Sequence, residues 1–201
     1  MSRYTGPKLK VIRKLGNLAG FTQKSVKPVN NSNKCENSEK NITEYRLRLE
    51  EKQKIKFNYG LTENQLYNYV KEARRQKGIT GLILLQLLGM RLDNICFSLG
   101  LAPTISGARQ LVNHGHIYVN SKPVDIANFQ CRPNDIISIS KNLKSQNLIK
   151  SNLTNQKFLR KFSNLKFDNL KFEGLVENFC ERSDILLELN ELKIIEYYSR
   201  Q

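Results

Sequence analysis

The sequence predicts an α+β fold, in which a mostly helical body carries a second domain of two packed helices on a small antiparallel sheet. Two observations lead to this prediction. Apolar residues recur at helical spacing in several segments between residues 43 and 113, and residues typical of helix ends flank these segments. Between residues 116 and 140, short segments of alternating polarity are separated by turn residues, which is typical of strands.

The chain begins with a basic segment, residues 1–27, that lacks clear periodicity. We predict an arm here, followed by a linker at residues 28–42, which are polar and rich in turn-forming residues. Two interpretations of the arm stay open: a disordered tail, or a segment that becomes ordered on RNA. Tyr4 and Phe21 favour the second, because aromatic faces can stack on exposed bases.

A helical domain is predicted over residues 43–90. Its first helix begins near Thr43 and ends before Gly60. In the second helix, Thr62 and Gln65 have the spacing of a capping box, in which two side chains satisfy free backbone groups of the first turn. The segment GLILLQLLG supplies a third, buried helix.

Residues 91–152 are predicted to form the second domain. A short helix that ends at Gly100 is followed by another that begins at Thr104 and ends at Gly115. The residues HIYVN then alternate in polarity, and the turn segments NSK and PND lead to a further strand. A DNA-reading helix-turn-helix usually continues into a third helix or a wing, so this order argues against that class.

The charge of the chain is unevenly distributed. Residues 1–172 carry 30 Lys and Arg against 11 Asp and Glu, whereas residues 173–201 carry 3 against 7. A segment with this excess of positive charge attracts phosphate. Nucleic acid is therefore the first candidate partner, and an anionic membrane surface is the second. A membrane span is not expected, since GLILLQLLGM is shorter than the roughly 20 residues a span requires. Residues 153–201 form a C-terminal segment, of which 175–201 are expected to complete the helical domain.

No catalytic or metal site is predicted. The cysteines are widely separated, so we expect reduced and mostly buried thiols in an intracellular compartment rather than zinc ligands. His114 and His116 could bind a metal or act as an acid–base pair, but no nucleophile or carboxylate cluster accompanies them. We therefore expect no cofactor and no small-molecule substrate. The four cysteines are Cys35, Cys96, Cys131 and Cys180.

Several segments of the chain carry a family resemblance. RLDN at Arg91–Asn94, ARQLV at Ala108–Val112, His114, Ile117 and Val119-Asn120 resemble the RNA-binding module named after ribosomal protein S-four. The flanks RYTGPKLKVIRKLG, YRLRLEEKQKIKFNYGLTENQL and GLILLQLLGMRLDN resemble that ribosomal protein itself, in the same order, and NELKIIEYYSRQ is similar to the ending of the plastid version. The match covers nearly the whole chain. The sequence is thus identified as a member of the S-four family of small-subunit ribosomal proteins.

The resemblance implies a structural constituent of the small ribosomal subunit. It implies binding to the 5′ domain of small-subunit rRNA early in assembly, contact with the neighbouring protein S-five, and a role in translational accuracy. An RNA-modifying enzyme of the pseudouridine-synthase type is the alternative, although the flanks are too short for a separate catalytic domain and lack its Asp. A free heat-shock-type RNA-binding module would lack the Gly-Pro-Lys arm.

The chain departs from the family in two places. Gly107 stands where the family often has an acid that completes a capping box. The first turn of the helix that begins at Thr104 should therefore be less stable than in those relatives. Some bacterial members hold zinc through several N-terminal cysteines, whereas this arm offers Cys35 alone, so no metal is carried over. The sequence begins with the family's arm, so we expect no transit peptide. We therefore expect it on the ribosome of the chloroplast stroma, with the bacterial cytoplasm as the alternative.

Candidate rRNA contacts are polar side chains on the arm, on the predicted helices and at the edges of the second domain, where they could reach phosphates and 2′-hydroxyls. Asp93 is expected to orient Arg91 rather than to touch RNA. The candidates are Arg3, Tyr4, Lys8, Lys10, Arg13, Lys14, Arg46, Arg48, Lys52, Lys54, Arg74, Arg91, Arg109, Asn113, His114, Asn120 and Lys122.

Overall fold

The computed structural model describes residues 4–24, 43–155, 162–168, 171–185 and 187–199. Arg3, Cys35 and the predicted linker lie outside these ranges. Within them the elements are, in chain order, α1 (Lys8–Leu15), α2 (Glu44–Asn58), α3 (Glu63–Arg75), α4 (Thr80–Gly89), α5 (Leu92–Ser98), α6 (Ile105–Asn113), β1 (Ile117–Val119), β2 (Lys122–Pro123), β3 (Ile136–Ile139), α7 (Leu143–Asn155), β4 (Leu165–Asp168), β5 (Glu173–Val176), a 3₁₀ turn (Arg182–Asp184) and α8 (Glu191–Ser199). The predicted α+β fold class is confirmed.

Side-chain caps begin three of the helices where the sequence predicted them. Thr43 accepts a hydrogen bond from the backbone of α2, and Thr62 forms a complete capping box with Gln65. Thr104 accepts from Gly107 N at 3.1 Å, which starts α6 although no acid completes a box there. These bonds satisfy N–H groups that have no partner inside the helix.

Helices α1 to α4 and α8, which we call the helical body, share one hydrophobic core. The N-terminal arm belongs to this body, because Leu18 and Phe21 are buried in the core and α1 packs against α2. The sequence predicted a basic arm without clear periodicity, either a disordered tail or a segment that becomes ordered on RNA. In the structure α1 is a short helix within this segment, and apolar residues after it pack in the core of the body.

Helices α5 and α6 pack on an antiparallel sheet, and together they form a unit that we call the module. The strand order is β2-β1-β3-β5-β4. Register is set by pairs such as Val119 with Ile137, whose side chains are buried beneath the helices. At one edge, β2 has two exposed residues, Lys122 and Pro123.

The module extends beyond the predicted boundary at residue 152. Strands β4 and β5 come from the C-terminal segment, and β5 pairs with β3. Gly174 lies opposite Ile137 in this pairing, and a Cβ there would be 2.5 Å from Leu99 Cδ1 of the module's own core. The sequence did not indicate these strands, because each has four residues and lies among Lys, Asn and Asp.

A network of polar side chains ties α8 to the rest of the body. Lys52 on α2 is buried, and its Nζ donates to Glu63 Oε1 at 2.9 Å and to the Tyr197 hydroxyl at 3.3 Å. Tyr198 donates to the same Glu63 oxygen at 2.9 Å, and Lys56 donates to the other oxygen at 3.1 Å. Burial raises the pKa of Glu63, but the bonds from Lys52, Tyr198 and Lys56 outweigh it, so the pKa is lowered overall.

This network predicts a pH dependence of stability. A carboxylate whose pKa is lowered by folding stabilises the protein above its unfolded pKa, about 4.3 for Glu, and the contribution is lost as the pH falls through the lower folded value. We expect Glu63→Gln to reduce the free energy of unfolding at neutral pH. The difference from wild type should shrink as the pH falls below about 4.3. Urea unfolding followed by circular dichroism at a series of pH values measures it.

Glu72→Gln is the matched control for this prediction. Glu72 pairs with Arg75 on the exposed surface of α3 at 3.4 Å, and such surface pairs contribute little. The interpretation fails if the two variants lose the same stability at neutral pH, or if the loss in Glu63→Gln persists in acid.

Two glycines should respond to alanine substitution in opposite directions. At Gly107 in α6, a Cβ would make ordinary contact with Thr104 Oγ1 at 3.5 Å, so Gly107→Ala should stabilise the protein by about 0.5–1 kcal/mol through lower backbone entropy of the unfolded chain. At Gly20, a Cβ would be 2.4 Å from Ile105 Cδ1 and 2.9 Å from the carbonyl oxygen of Asn58. Overpacking there should cost about 1–3 kcal/mol. Thermal unfolding of both variants tests this, and equal shifts would contradict it.

Candidate RNA-binding surface

The basic residues of α2 are paired with acids. Arg46 contacts Glu50 at 3.1 Å, and Lys54 contacts Glu51 at 2.7 Å. Arg48 is largely covered and contacts two carboxylates, so its bonds to Glu196 and Glu44 raise its pKa. Lys52 is 5% exposed and held by Glu63. The structure thus corrects the prediction that Lys52 reaches RNA, and it leaves Arg46, Arg48 and Lys54 as neutralised charges.

Helix α1 presents a different basic surface. Lys10, Arg13 and Lys14 are three and four residues apart, so they share one face of the helix, and all three are exposed. Among the described residues, none of the three has an acidic partner within ion-pair distance. We call this face the α1 basic face. Lys8 is half-buried, and its Nζ donates to the Phe21 carbonyl at 3.2 Å.

Tyr4 lies beside α1 and packs on protein aromatics. Its ring is 5.2 Å from the ring of Phe57, edge-on, and 6.0 Å from that of Phe21. Its side chain is still 44% exposed. The predicted stacking partner of RNA is therefore also part of an aromatic cluster that holds the chain before α1.

Arg91, Asp93 and Arg109 form a buried ion-pair group at the boundary between module and body, which we call the clamp. Asp93 is fully buried, and its two oxygens accept from Arg91 Nε at 2.9 Å and Nη2 at 2.7 Å. Arg109 Nη2 donates to Asp93 Oδ2 at 2.8 Å. Burial lowers the pKa of Arg91, but the bonds and the charge of Asp93 outweigh it, so the pKa is raised. The expected orienting role of Asp93 is confirmed.

The clamp changes the interpretation of both arginines. Arg91 is 2% exposed, so its guanidinium cannot reach an RNA backbone, and the prediction of a direct contact is corrected. Arg109 is partly exposed, but its Nη1 and Nη2 donate to the carbonyls of Gly60 and Tyr59 at 2.9 and 3.1 Å. Sequence reasoning missed this because burial depends on the neighbouring helices, which spacing within RLDN does not show.

The edge of the module carries four predicted contacts. Asn113 and His114 are exposed at the end of α6, and Lys122 is exposed in β2. Asn120 has φ 49°, and its side chain donates to Asp135 Oδ1 at 2.8 Å and accepts from Ile136 N at 2.9 Å. Its amide therefore fixes the β1–β2 turn onto β3, so it positions Lys122 whether or not it touches RNA.

Further exposed cations include the candidate Arg74 and several lysines that were not candidates. Arg74 on α3 is exposed, and its Nη2 lies 3.5 Å from the Ile195 carbonyl. Sequence patterns do not separate paired from unpaired lysines, because the partners come from other elements. Exposed lysines with no acid within ion-pair distance among the described residues include Lys24, Lys71, Lys77, Lys141 and Lys144.

The histidines and cysteines are the residues that the sequence offered for catalysis or metal binding. His116 Nδ1 lies 2.9 Å from Ser145 Oγ, and its ring is 6.0 Å from that of His114. Burial raises the pKa of Cys131 and of Cys180 to about 12, which disfavours thiolate nucleophiles. Within the described ranges, no three His, Cys, Asp or Glu side chains are grouped as metal ligands.

A cavity between body and module has a volume of about 30 Å³ and is lined by residues that include Asn58 and Asn164. This volume holds water rather than a substrate. In the same described part of the chain, no helix combines the length and apolar character of a membrane span.

Two family models match consecutive parts of the chain, and individual relatives match its full length. Residues 3–89 match the ribosomal protein S4/S9 N-terminal domain, and residues 90–137 match the S4 domain. The chain is 58% identical to small ribosomal subunit protein uS4c of Trieres chinensis and 55% identical to that of Phaeodactylum tricornutum. It is 52% identical to that of Marchantia polymorpha, and each of the three alignments covers all of both chains.

These similarities agree with the architecture, because the first match spans α1 to α4 and the second runs from α5 into the first half of β3. The chain therefore belongs to the S4 family of small ribosomal subunit proteins, and the relatives that it matches along its full length are of the plastid type.

Proposed function

We propose that this protein is a structural constituent of the small subunit of the plastid ribosome and binds small-subunit rRNA. The observation that carries this proposal is the similarity along the whole chain to proteins named small ribosomal subunit protein uS4c. The enzyme alternative is not favoured, since those relatives are ribosomal proteins.

The distribution of free charge supports a specific mode of binding. The α1 basic face and the module edge, with Asn113, His114 and Lys122, keep polar groups exposed, whereas the cations of α2 are neutralised by acids. Phosphate contacts release condensed counterions, so exposed and unpaired cations contribute most of the affinity. RNA therefore contacts the α1 basic face and the module edge, and α2 serves mainly as a support.

The finer parts of the proposal follow from the family. The protein binds the 5′ domain of the rRNA early in assembly of the subunit body, contacts protein S-five, and contributes to translational accuracy. The C-terminal segment suits a protein neighbour better than RNA. Its exposed Glu181 and Glu188 repel phosphate, and Phe179 is 51% exposed.

Sedimentation tests the proposal as a whole. An epitope-tagged chain produced in a plastid should migrate with the small subunit on a sucrose gradient after the subunits are dissociated. A tagged chain that stays at the top of the gradient, with the protein folded, would exclude a ribosomal role.

A salt titration tests the assignment of the α1 basic face. We expect the triple variant Lys10→Gln, Arg13→Gln, Lys14→Gln to reduce the slope of log affinity against log salt by about 0.7–0.9 for each phosphate that the variant no longer neutralises. Gln keeps the helix propensity of α1 close to that of Lys and Arg. Filter binding to a transcript of the 5′ domain of plastid small-subunit rRNA measures the slope.

A second triple variant is the matched control for total charge. Arg46→Gln, Lys54→Gln, Arg75→Gln also removes three positive charges, but each of these side chains already contacts an acid within its own helix. Its slope should stay close to that of wild type. Equal slopes for the two variants would show that total charge, rather than the α1 basic face, determines binding.

A further inference from the structure

One face of α6 contacts the body. Ile105 and Arg109 are four residues apart and therefore lie on the same side of this helix. Ile105 is buried in the core of the body, although its helix belongs to the module. Arg109 reaches the carbonyls of Tyr59 and Gly60, where α2 ends.

The arm is held at the same place. Gly20 N donates to Asn58 Oδ1 at 2.9 Å, and the Gly20 carbonyl accepts from Ile105 N at 2.9 Å. The chain that follows α1 is thus hydrogen-bonded to α2 on one side and to the start of α6 on the other. The bond to Asn58 lies within the body, whereas the bond to Ile105 crosses the boundary, so a rotation of the module would break the second bond and displace the arm from α6.

The hydrogen bonds of the clamp fix the orientation of the module on the body. Asp93 accepts from both arginines, and each arginine uses its remaining nitrogens on a different helix of the body. Arg91 Nη1 donates to the Tyr69 hydroxyl on α3 at 2.9 Å, whereas Arg109 donates to the end of α2. Gln130 Nε2, from the loop before β3, donates to the Tyr69 hydroxyl at 3.3 Å. The module is therefore held at two separate points of the body.

The charges of the clamp also suit its location. Two guanidinium groups face one buried carboxylate, which leaves one positive charge in excess. The C-terminal end of α2 carries the negative end of the helix dipole, and Arg109 donates to the carbonyls of Tyr59 and Gly60, which follow that end. Apolar side chains of similar volume often stabilise a fold as well as a buried ion pair does, but they do not impose these directions.

We propose that Arg91, Asp93 and Arg109 are positioning residues for RNA recognition. By fixing the module on α2 and α3, they set the spacing between the α1 basic face and the module edge, so that both reach one folded rRNA. This inference rests on the proposed rRNA-binding function. It assigns to the RLDN segment a role within the protein instead of direct contact with RNA.

Tyr69→Phe tests this inference without removing a charge or a predicted RNA contact. It deletes the hydroxyl that accepts from Arg91 and Gln130 and leaves the ring in place. Arg109→Lys is the second variant, because an ammonium group cannot reproduce the fork that joins Asp93 to two carbonyls. Tyr67→Phe is the matched control, since Tyr67 is on the same helix and 49% exposed.

The first measurement is amide hydrogen exchange in the free protein. In the two clamp variants, exchange should accelerate at the amides that cross the boundary, such as Ile105 N, and should stay unchanged in β1 and β3. A merely stabilising role would accelerate exchange in both units by a similar factor. That uniform result, or no change at all, would overturn the inference.

The second measurement is the affinity for the folded 5′-domain transcript relative to a plain RNA duplex, below the unfolding temperature of every variant. The clamp variants should lose this preference by about fivefold or more, a typical strength of coupling between sites, while Tyr67→Phe keeps it. A wild-type protein with no preference would contradict the proposed function. A wild-type preference that both clamp variants retain would overturn the positioning role and leave the proposed function intact.

Discussion

The rest of the structure depends on one carboxylate, that of Asp93, which is buried where three parts of the chain meet. Its backbone N–H donates to the Ala127 carbonyl, and its side chain holds two arginines. Removing one partner from such a group costs about 3–5 kcal/mol, because a charge is left buried without compensation. Asp93 therefore connects the start of α5, the loop before β3 and the end of α2. The hydrophobic cores on either side lack this specificity, since apolar contacts have no preferred direction.

The second organising feature is the separation of paired from unpaired cations. Although the chain is strongly basic, α2 is lined with acids one turn from its bases, and Glu196 of α8 adds another carboxylate. Helix α1 has no acid in its sequence, and the first acid of the chain is Glu36. Net charge therefore favours a polyanion as the partner, while the position of the acids supports the proposal that this partner binds the α1 basic face.

The sequence predicted much of the fold because its helix ends are marked by local chemistry. Thr62 with Gln65, and Thr104, fix their helices through bonds within four residues, so spacing alone is informative. The candidate site was less predictable. Arg91 and Lys52 looked like surface cations, but both are buried by side chains from elsewhere in the chain, and no local pattern encodes that. Strands β4 and β5 were missed for the same reason, since β5 is a strand through its pairing with β3, and β4 through its pairing with β5.

The short edge strand β2 has a consequence for the protein before it meets its partners. An open sheet edge exposes unpaired N–H and C=O groups to which another chain can add, which leads to aggregation. At this edge, Pro123 has no N–H to donate, and the charge of Lys122 opposes the approach of a second copy. Two residues also give a neighbouring strand little length to pair with. This edge of the sheet thus resists the addition of a strand from a second copy before the chain enters a subunit.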